Sequence, residues 1–206
     1  MTIWTRRILM VLIVAVAAGS LSLLDSAGVF GRRTGGGDVE TYHGKTFRVV
    51  KVVDGDTVDI DLPDGRWKST RIRLWGVDTP ESVRPDWPVE HFGPEASAFT
   101  KTLCAGKSVR VELHFADTRC KYGRLLAYLV LPDGTCLNKR LIDEGYGYAD
   151  TRYPHPRQEA YKAAMRKARR EELGLWKGVT AKDMPNYLPA QFHPNRKDTG
   201  KTGTGT

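Results

Sequence analysis

Two short acidic segments carry the first hint of chemistry. Asp54-Gly55-Asp56 has the composition of a hairpin turn, and Asp78-Thr79-Pro80-Glu81 directly follows an alternating apolar stretch. If the strands around them are neighbours in a meander, Asp56, Asp78 and Glu81 converge. Three carboxylates at one point repel each other unless a cation sits among them. Oxygen donors of this kind select a hard ion, Ca²⁺ or Mg²⁺, over zinc. Arg124 follows Lys121-Tyr122-Gly123 and is the side chain suited to a two-pronged phosphate contact. Arg73 lies five residues before Asp78. At a period of two these side chains face opposite ways unless a strand end or twist intervenes, so spacing alone does not bring Arg73 to the carboxylates. Taken singly, each signature also has a plain reading: a turn, a cap, a solvated arginine.

The elements that must position these residues follow from periodicity. Thr46–Val53 is β-branched, Thr57–Leu62 alternates, and Trp67–Val77 alternates again, with Pro63-Asp64-Gly65 turning the chain between the last two. Gly93-Pro94-Glu95 opens a helix whose apolar face is Ala96, Phe99, Thr100 and Leu103, closed by Gly106. Ser108–Phe115 and Leu125–Leu131 are two further strands. Leu137–Glu144 is a short helix. Gln158–Leu173 is a longer one, with Tyr161, Ala164, Met165 and Ala168 on its apolar face and a basic opposite face. Three strands, a helix, two strands and two helices predict a five-stranded Greek-key barrel of the oligonucleotide-binding (OB) type with three α-helices.

Composition limits the alternatives. The 206 residues are 40% hydrophobic and 27% charged, which excludes collagenous, wholly disordered and multi-span membrane chains. The net charge is +8, yet residues 38–178 hold 24 basic and 21 acidic side chains, so the body of the chain is only mildly basic. Cys104, Cys120 and Cys136 show no zinc-type spacing and read as small core residues. Arg6 and Arg7 precede the apolar run Ile8–Ala18, and Ala15-Val16-Ala17 is a small-residue cleavage motif. The apolar character continues to Leu24, long enough for residues 8–24 to serve instead as a membrane anchor. The predicted organisation is a signal peptide or anchor over 1–30, a linker over 31–41, one domain over 42–178 and a polar, disordered tail over 179–206. Either fate of the first segment places the domain outside the cytoplasm, secreted, periplasmic or membrane-attached.

Set in order, these motifs carry a resemblance. Asp54-Gly55-Asp56-Thr57-Val58, Arg71-Ile72-Arg73-Leu74, Val77-Asp78-Thr79-Pro80-Glu81, Phe92-Gly93-Pro94-Glu95-Ala96 and Lys121-Tyr122-Gly123-Arg124-Leu125-Leu126-Ala127-Tyr128 resemble the staphylococcal nuclease (thermonuclease) family from about Thr46 to Trp176. The resemblance implies a Ca²⁺-dependent phosphodiesterase that cuts DNA and RNA with little sequence preference, favours single strands and leaves 3′-phosphates. It matches Asp56, Asp78 and the Thr79 backbone carbonyl to the metal ligands, with Asp54 behind them. Glu81 matches the base that activates water, and Arg73 and Arg124 match the arms on the scissile phosphate. Lys121, Tyr122 and Tyr153 match substrate contacts. The chain departs from the family pattern at Cys120, where an acidic residue is common. No obligate protein partner is implied. The alternative is a non-catalytic OB-fold module that binds nucleic acid or protein without turnover.

Overall fold

The structure, a computed structural model, describes residues 36–82, 89–180 and 182–188. A helix, α1 (Gly36–Tyr42), leads into β1 (Thr46–Asp54). The chain reverses into β2 (Thr57–Ile60) and again into β3 (Thr70–Leu74). After β4 (Val77–Asp78) and α2 (Gly93–Cys104) come β5 (Ser108–Glu112) and β6 (Leu125–Val130). Then follow α3 (Leu137–Asp143), β7 (Tyr148–Ala149), α4 (Gln158–Arg170) and a 3₁₀ turn at Gly174–Trp176.

Five strands close a barrel in the order β1-β2-β3-β6-β5. β3 and β6 run parallel, with Ile72 opposite Leu125, and β1 pairs antiparallel with β5 to complete the circuit. Closure leaves no exposed barrel edge. Val58, Ile60, Ile72, Leu74, Val109, Val111, Leu125, Ala127 and Leu129 alternate inward and are buried. Two register shifts in β1, after Val49 and after Val52, bend that strand as it approaches Asp54. Asn138 of α3 is fully buried and fastens the parallel pair. Its Nδ2 donates to the Trp75 and Ala127 carbonyls, both at 3.0 Å, and its Oδ1 accepts from Leu129 N at 3.0 Å. The apolar faces expected of α2 and α4 are largely the faces they bury, except that Phe99 of α2 is only partly covered. All three cysteines are free thiols, with Cys104 buried and the other two half-buried.

Four α-helices, rather than three, surround the barrel among the described residues. The additional one is α1, which replaces the second half of the expected linker 31–41 and starts the folded region before residue 42. Its glycine-rich opening hides it from helix propensity. Tertiary contacts hold it instead: buried Asp38 accepts from Thr118 Oγ1 at 2.9 Å and from two nitrogens of Arg119 at 2.8 and 2.7 Å. The single strand expected over Trp67–Val77 is broken at Trp75-Gly76. Gly76 adopts φ +78°, and any side chain there would strike the His155 ring. The chain therefore leaves the barrel, and β4 pairs with β7 in a separate two-stranded ribbon, Val77 opposite Ala149.

The expected disordered tail is partly folded. Met184 and Leu188 are buried, and Asp183 accepts from Thr180 N at 2.9 Å and Thr180 Oγ1 at 2.6 Å. Residues 1–35, with the apolar run 8–24, residues 83–88, residue 181 and residues 189–206 lie outside the described residues.

Candidate active site

The β1–β2 turn is built to bring one carboxylate to a fixed point. Asp56 N donates to Asp54 Oδ1 at 3.1 Å, and Thr57 Oγ1 donates to Asp56 Oδ1 at 3.0 Å. Leu74 N of the neighbouring strand donates to the Asp56 carbonyl at 2.8 Å. From α2, Thr100 Oγ1 donates to the Gly55 carbonyl at 2.6 Å. Gly55 packs so tightly on Thr79 that an added Cβ would lie 2.6 Å from its Oγ1. That close approach joins the two acidic segments: Thr79 N donates to Asp56 Oδ2 at 3.0 Å.

Arg73 faces this junction. Its Nη1 forms an ion pair with Asp56 Oδ2, and its Nη2 donates to Asp78 Oδ1 at 2.5 Å. The five-residue spacing no longer forbids this, because β3 ends at Leu74 and the turn at Gly76 resets the direction of Asp78. One guanidinium thus lies between two facing carboxylates, occupying the position of a cation. Asp54, behind the turn, has its carboxyl pushed above the usual range by burial, against the pull of Arg73.

Asp78 has two partners that the sequence does not announce. Arg152 Nη2 approaches Asp78 Oδ1 at 3.1 Å, and the Tyr187 hydroxyl donates to Asp78 Oδ2 at 2.7 Å. Arg152 is itself gripped by Asp150 at 2.9 and 2.8 Å and lies 4.1 Å from the Tyr187 ring centroid. Neither contact could be read locally: Tyr187 is 109 residues from Asp78, in a polar segment with no periodicity. Glu81 is fixed through its backbone. Its N–H donates to Glu90 Oε2 and its carbonyl accepts from Glu90 N, both at 2.9 Å. Gly93, at the start of α2, packs against the same Glu81 carbonyl.

Arg124 leaves a tight turn in which Gly123 N donates to the Cys120 carbonyl at 2.8 Å and Cys120 N to the Arg124 carbonyl at 3.0 Å. Its buried Nε has no hydrogen-bond partner, and no carboxylate among the described residues forms an ion pair with it. Burial raises the Cys120 thiol, but hydrogen bonding from Arg124 and from backbone outweighs it, leaving the thiol below its ordinary value. Arg119 Nη1 donates to the Gly123 carbonyl at 2.9 Å and so braces this turn.

All ten residues singled out from the sequence open on one cleft of about 880 Å³: Asp54, Asp56, Arg73, Asp78, Thr79, Glu81, Lys121, Tyr122, Arg124 and Tyr153. Tyr122 and Tyr153 are well exposed along its rim. Among the described residues no trio of His, Cys, Asp or Glu side chains is arranged to hold a metal ion. The donors that converge here, the Asp56 and Asp78 carboxylates, are oxygens. The guanidinium bridging Asp56 and Asp78 shows that the spot attracts positive charge, so the set fits a hard cation.

The family described as "Staphylococcal nuclease homologue" matches residues 71–178, and the chain is 33% identical over 169 residues to the thermonuclease of Staphylococcus hyicus. That match covers 82% of this chain and 95% of the relative. The chain belongs to the staphylococcal nuclease family. The thermonuclease of Staphylococcus intermedius is 39% identical over 65% of this chain and 77% of its own length. Endonuclease YncB of Bacillus subtilis (strain 168) is 31% identical over 61% of this chain and 59% of its own length. In this staphylococcal nuclease homologue, the family match begins within β3, so the Asp54–Asp56 turn and α1 precede the matched span.

Proposed function

We propose that this chain is an exported, Ca²⁺-dependent nuclease that hydrolyses phosphodiester bonds of DNA and RNA, preferring single strands and leaving 3′-phosphates. The observation that carries the reading is the convergence of paired acidic oxygens, Glu81 and two arginines on one cleft, one arginine neutralising the acids and the other without an ion-pair carboxylate among the described residues. Family membership and the names of the relatives support the nuclease class. The basic and apolar start of the sequence supports export.

Asp56, Asp78 and the Thr79 carbonyl would hold Ca²⁺, which when bound supplies positive charge to the phosphate oxygens as they gain negative charge. Glu81 accepts a proton from the attacking water, its position set by the Glu90 backbone clasp. Arg124 offers to the scissile phosphate a planar fork that no carboxylate among the described residues engages. Arg73 brings a second fork, released when its carboxylate partners are otherwise neutralised. Water attacks phosphorus in line and the 5′-oxygen departs. Contacts confined to phosphate carry no base information, which supports weak sequence preference.

The purified full-length chain, incubated with single-stranded DNA or RNA in Ca²⁺ or in chelator, tests this. Cleavage in Ca²⁺ alone, with products that a 3′-phosphatase converts to 3′-hydroxyls, is the expected result. A folded sample inert in Ca²⁺ would end the proposal.

A further inference from the structure

The β2–β3 turn presents a group that the chemistry above does not use. Trp67 is 62% exposed, with the Arg66 guanidinium 4.8 Å from its ring centroid and exposed Lys68 next to it. Asp64 and Trp67 exchange both backbone hydrogen bonds at 3.0 Å across Gly65-Arg66, so they are a directly opposed pair. Opposed residues of an antiparallel pair project from the same face. On that face the Asp64 carboxylate accepts from Arg119 at 2.6 and 3.2 Å. Arg119 lines the cleft and donates to Gly123, the residue before Arg124. Through Asp64, the turn that carries Trp67 is thus tied to the loop that delivers Lys121, Tyr122 and Arg124.

The same kind of pairing is found in the cleft itself. Lys121 Nζ is 5.0 Å from the Tyr122 ring centroid, and Arg152 is 6.0 Å from that of Tyr153. Each is an exposed aromatic ring with a cation at hand. A single strand offers flat bases and regularly spaced phosphates, and ring-plus-cation pairs recognise both without reading sequence.

We propose that Trp67, with Arg66 and Lys68, is a stacking subsite for an unpaired base of single-stranded nucleic acid, lying outside the bond that is cut. It rests on the nuclease reading for the strand that occupies the cleft. The subsite serves binding of a chain several nucleotides long and takes no part in turnover.

The test is binding of fluorescein-labelled (dT)₁₂ to the full-length chain in chelator, read by anisotropy, beside cleavage of bis(p-nitrophenyl) phosphate in Ca²⁺. Trp67→Ala weakens (dT)₁₂ binding about 5- to 100-fold, Trp67→Phe retains most of it, and the small diester is cleaved as before. Arg66→Ala reduces the slope of log affinity against log salt by about 0.7, one phosphate contact on a single strand. Unchanged (dT)₁₂ affinity in Trp67→Ala, or an unchanged salt slope in Arg66→Ala, overturns the subsite whether or not the chain cleaves. Trp67-dependent binding without Ca²⁺-dependent cleavage would instead leave the subsite standing and remove the nuclease reading.

Discussion

At the scale of single residues, the site separates groups that react from groups that aim them. Glu81 is held by backbone contacts to Glu90, so its side chain can be altered without loosening the segment. Glu81→Gln, which cannot take up a proton, should lower kcat by roughly 10²- to 10⁴-fold with the melting temperature unchanged. Stopped assays at saturating substrate measure it, and a rate equal to that of the unaltered protein would remove Glu81 as the base. Tyr187 acts through Asp78. Tyr187→Phe keeps the ring beneath Arg152 but deletes the 2.7 Å hydrogen bond, and it should weaken Ca²⁺ binding about tenfold in calorimetric titration. Arg124→Ala should cost about 10²- to 10³-fold in kcat, because among the described residues no carboxylate competes with the transition state for its fork. A fall in affinity alone would contradict that role. Asp56, Asp78, Glu81 and Arg124 were legible in the sequence because each lies in or beside a short turn whose residue types announce it, whereas Arg73, on β3 at the wrong spacing, was placed only by the family resemblance. Arg152 and Tyr187 were not legible, because what gives them meaning is a partner brought near only by folding.

Among the elements, the barrel strands and the helices that pack on them were legible, since each repeats its apolar pattern over enough residues to show a period. The two-residue strands β4 and β7 are too short for any pattern, and they exist because Gly76 diverts the chain. Helix α1 was hidden for a different reason: two glycines weaken its local preference, and an ion-pair network supplies what propensity lacks. That network joins α1 to the loop bearing Lys121 and Arg124, and through Asp64 to the β2–β3 turn. Arg119→Ala should destabilise the fold by about 3 kcal/mol, since it removes a two-pronged ion pair from a buried carboxylate. Urea unfolding checks this, and a loss under 1 kcal/mol would show that the network contributes little.

For the molecule as a whole, acid is the predicted weakness. His155 is buried below Gly76, with Nδ1 paired to the Tyr128 hydroxyl at 2.9 Å and Nε2 without a partner. Burial lowers its pKa to about 4, with neighbouring Asp150 opposing and Arg157 and Lys162 assisting. The unfolded chain, with an ordinary histidine near 6.5, then binds more protons than the folded one between these values. The contribution of His155 is full above about pH 6.5 and is lost as pH drops toward 4, roughly 3 kcal/mol. Urea midpoints across this range measure the slope, and His155→Phe should flatten it. The α1 clamp also reaches beyond the active site. Asp38 bridges α1 to the loop that bears Lys121 and Arg124, so the folded unit depends on a residue well upstream of the barrel. Shortening the chain up to Gly36 leaves that clamp intact, whereas trimming past Asp38 removes a strut of the loop that presents Arg124.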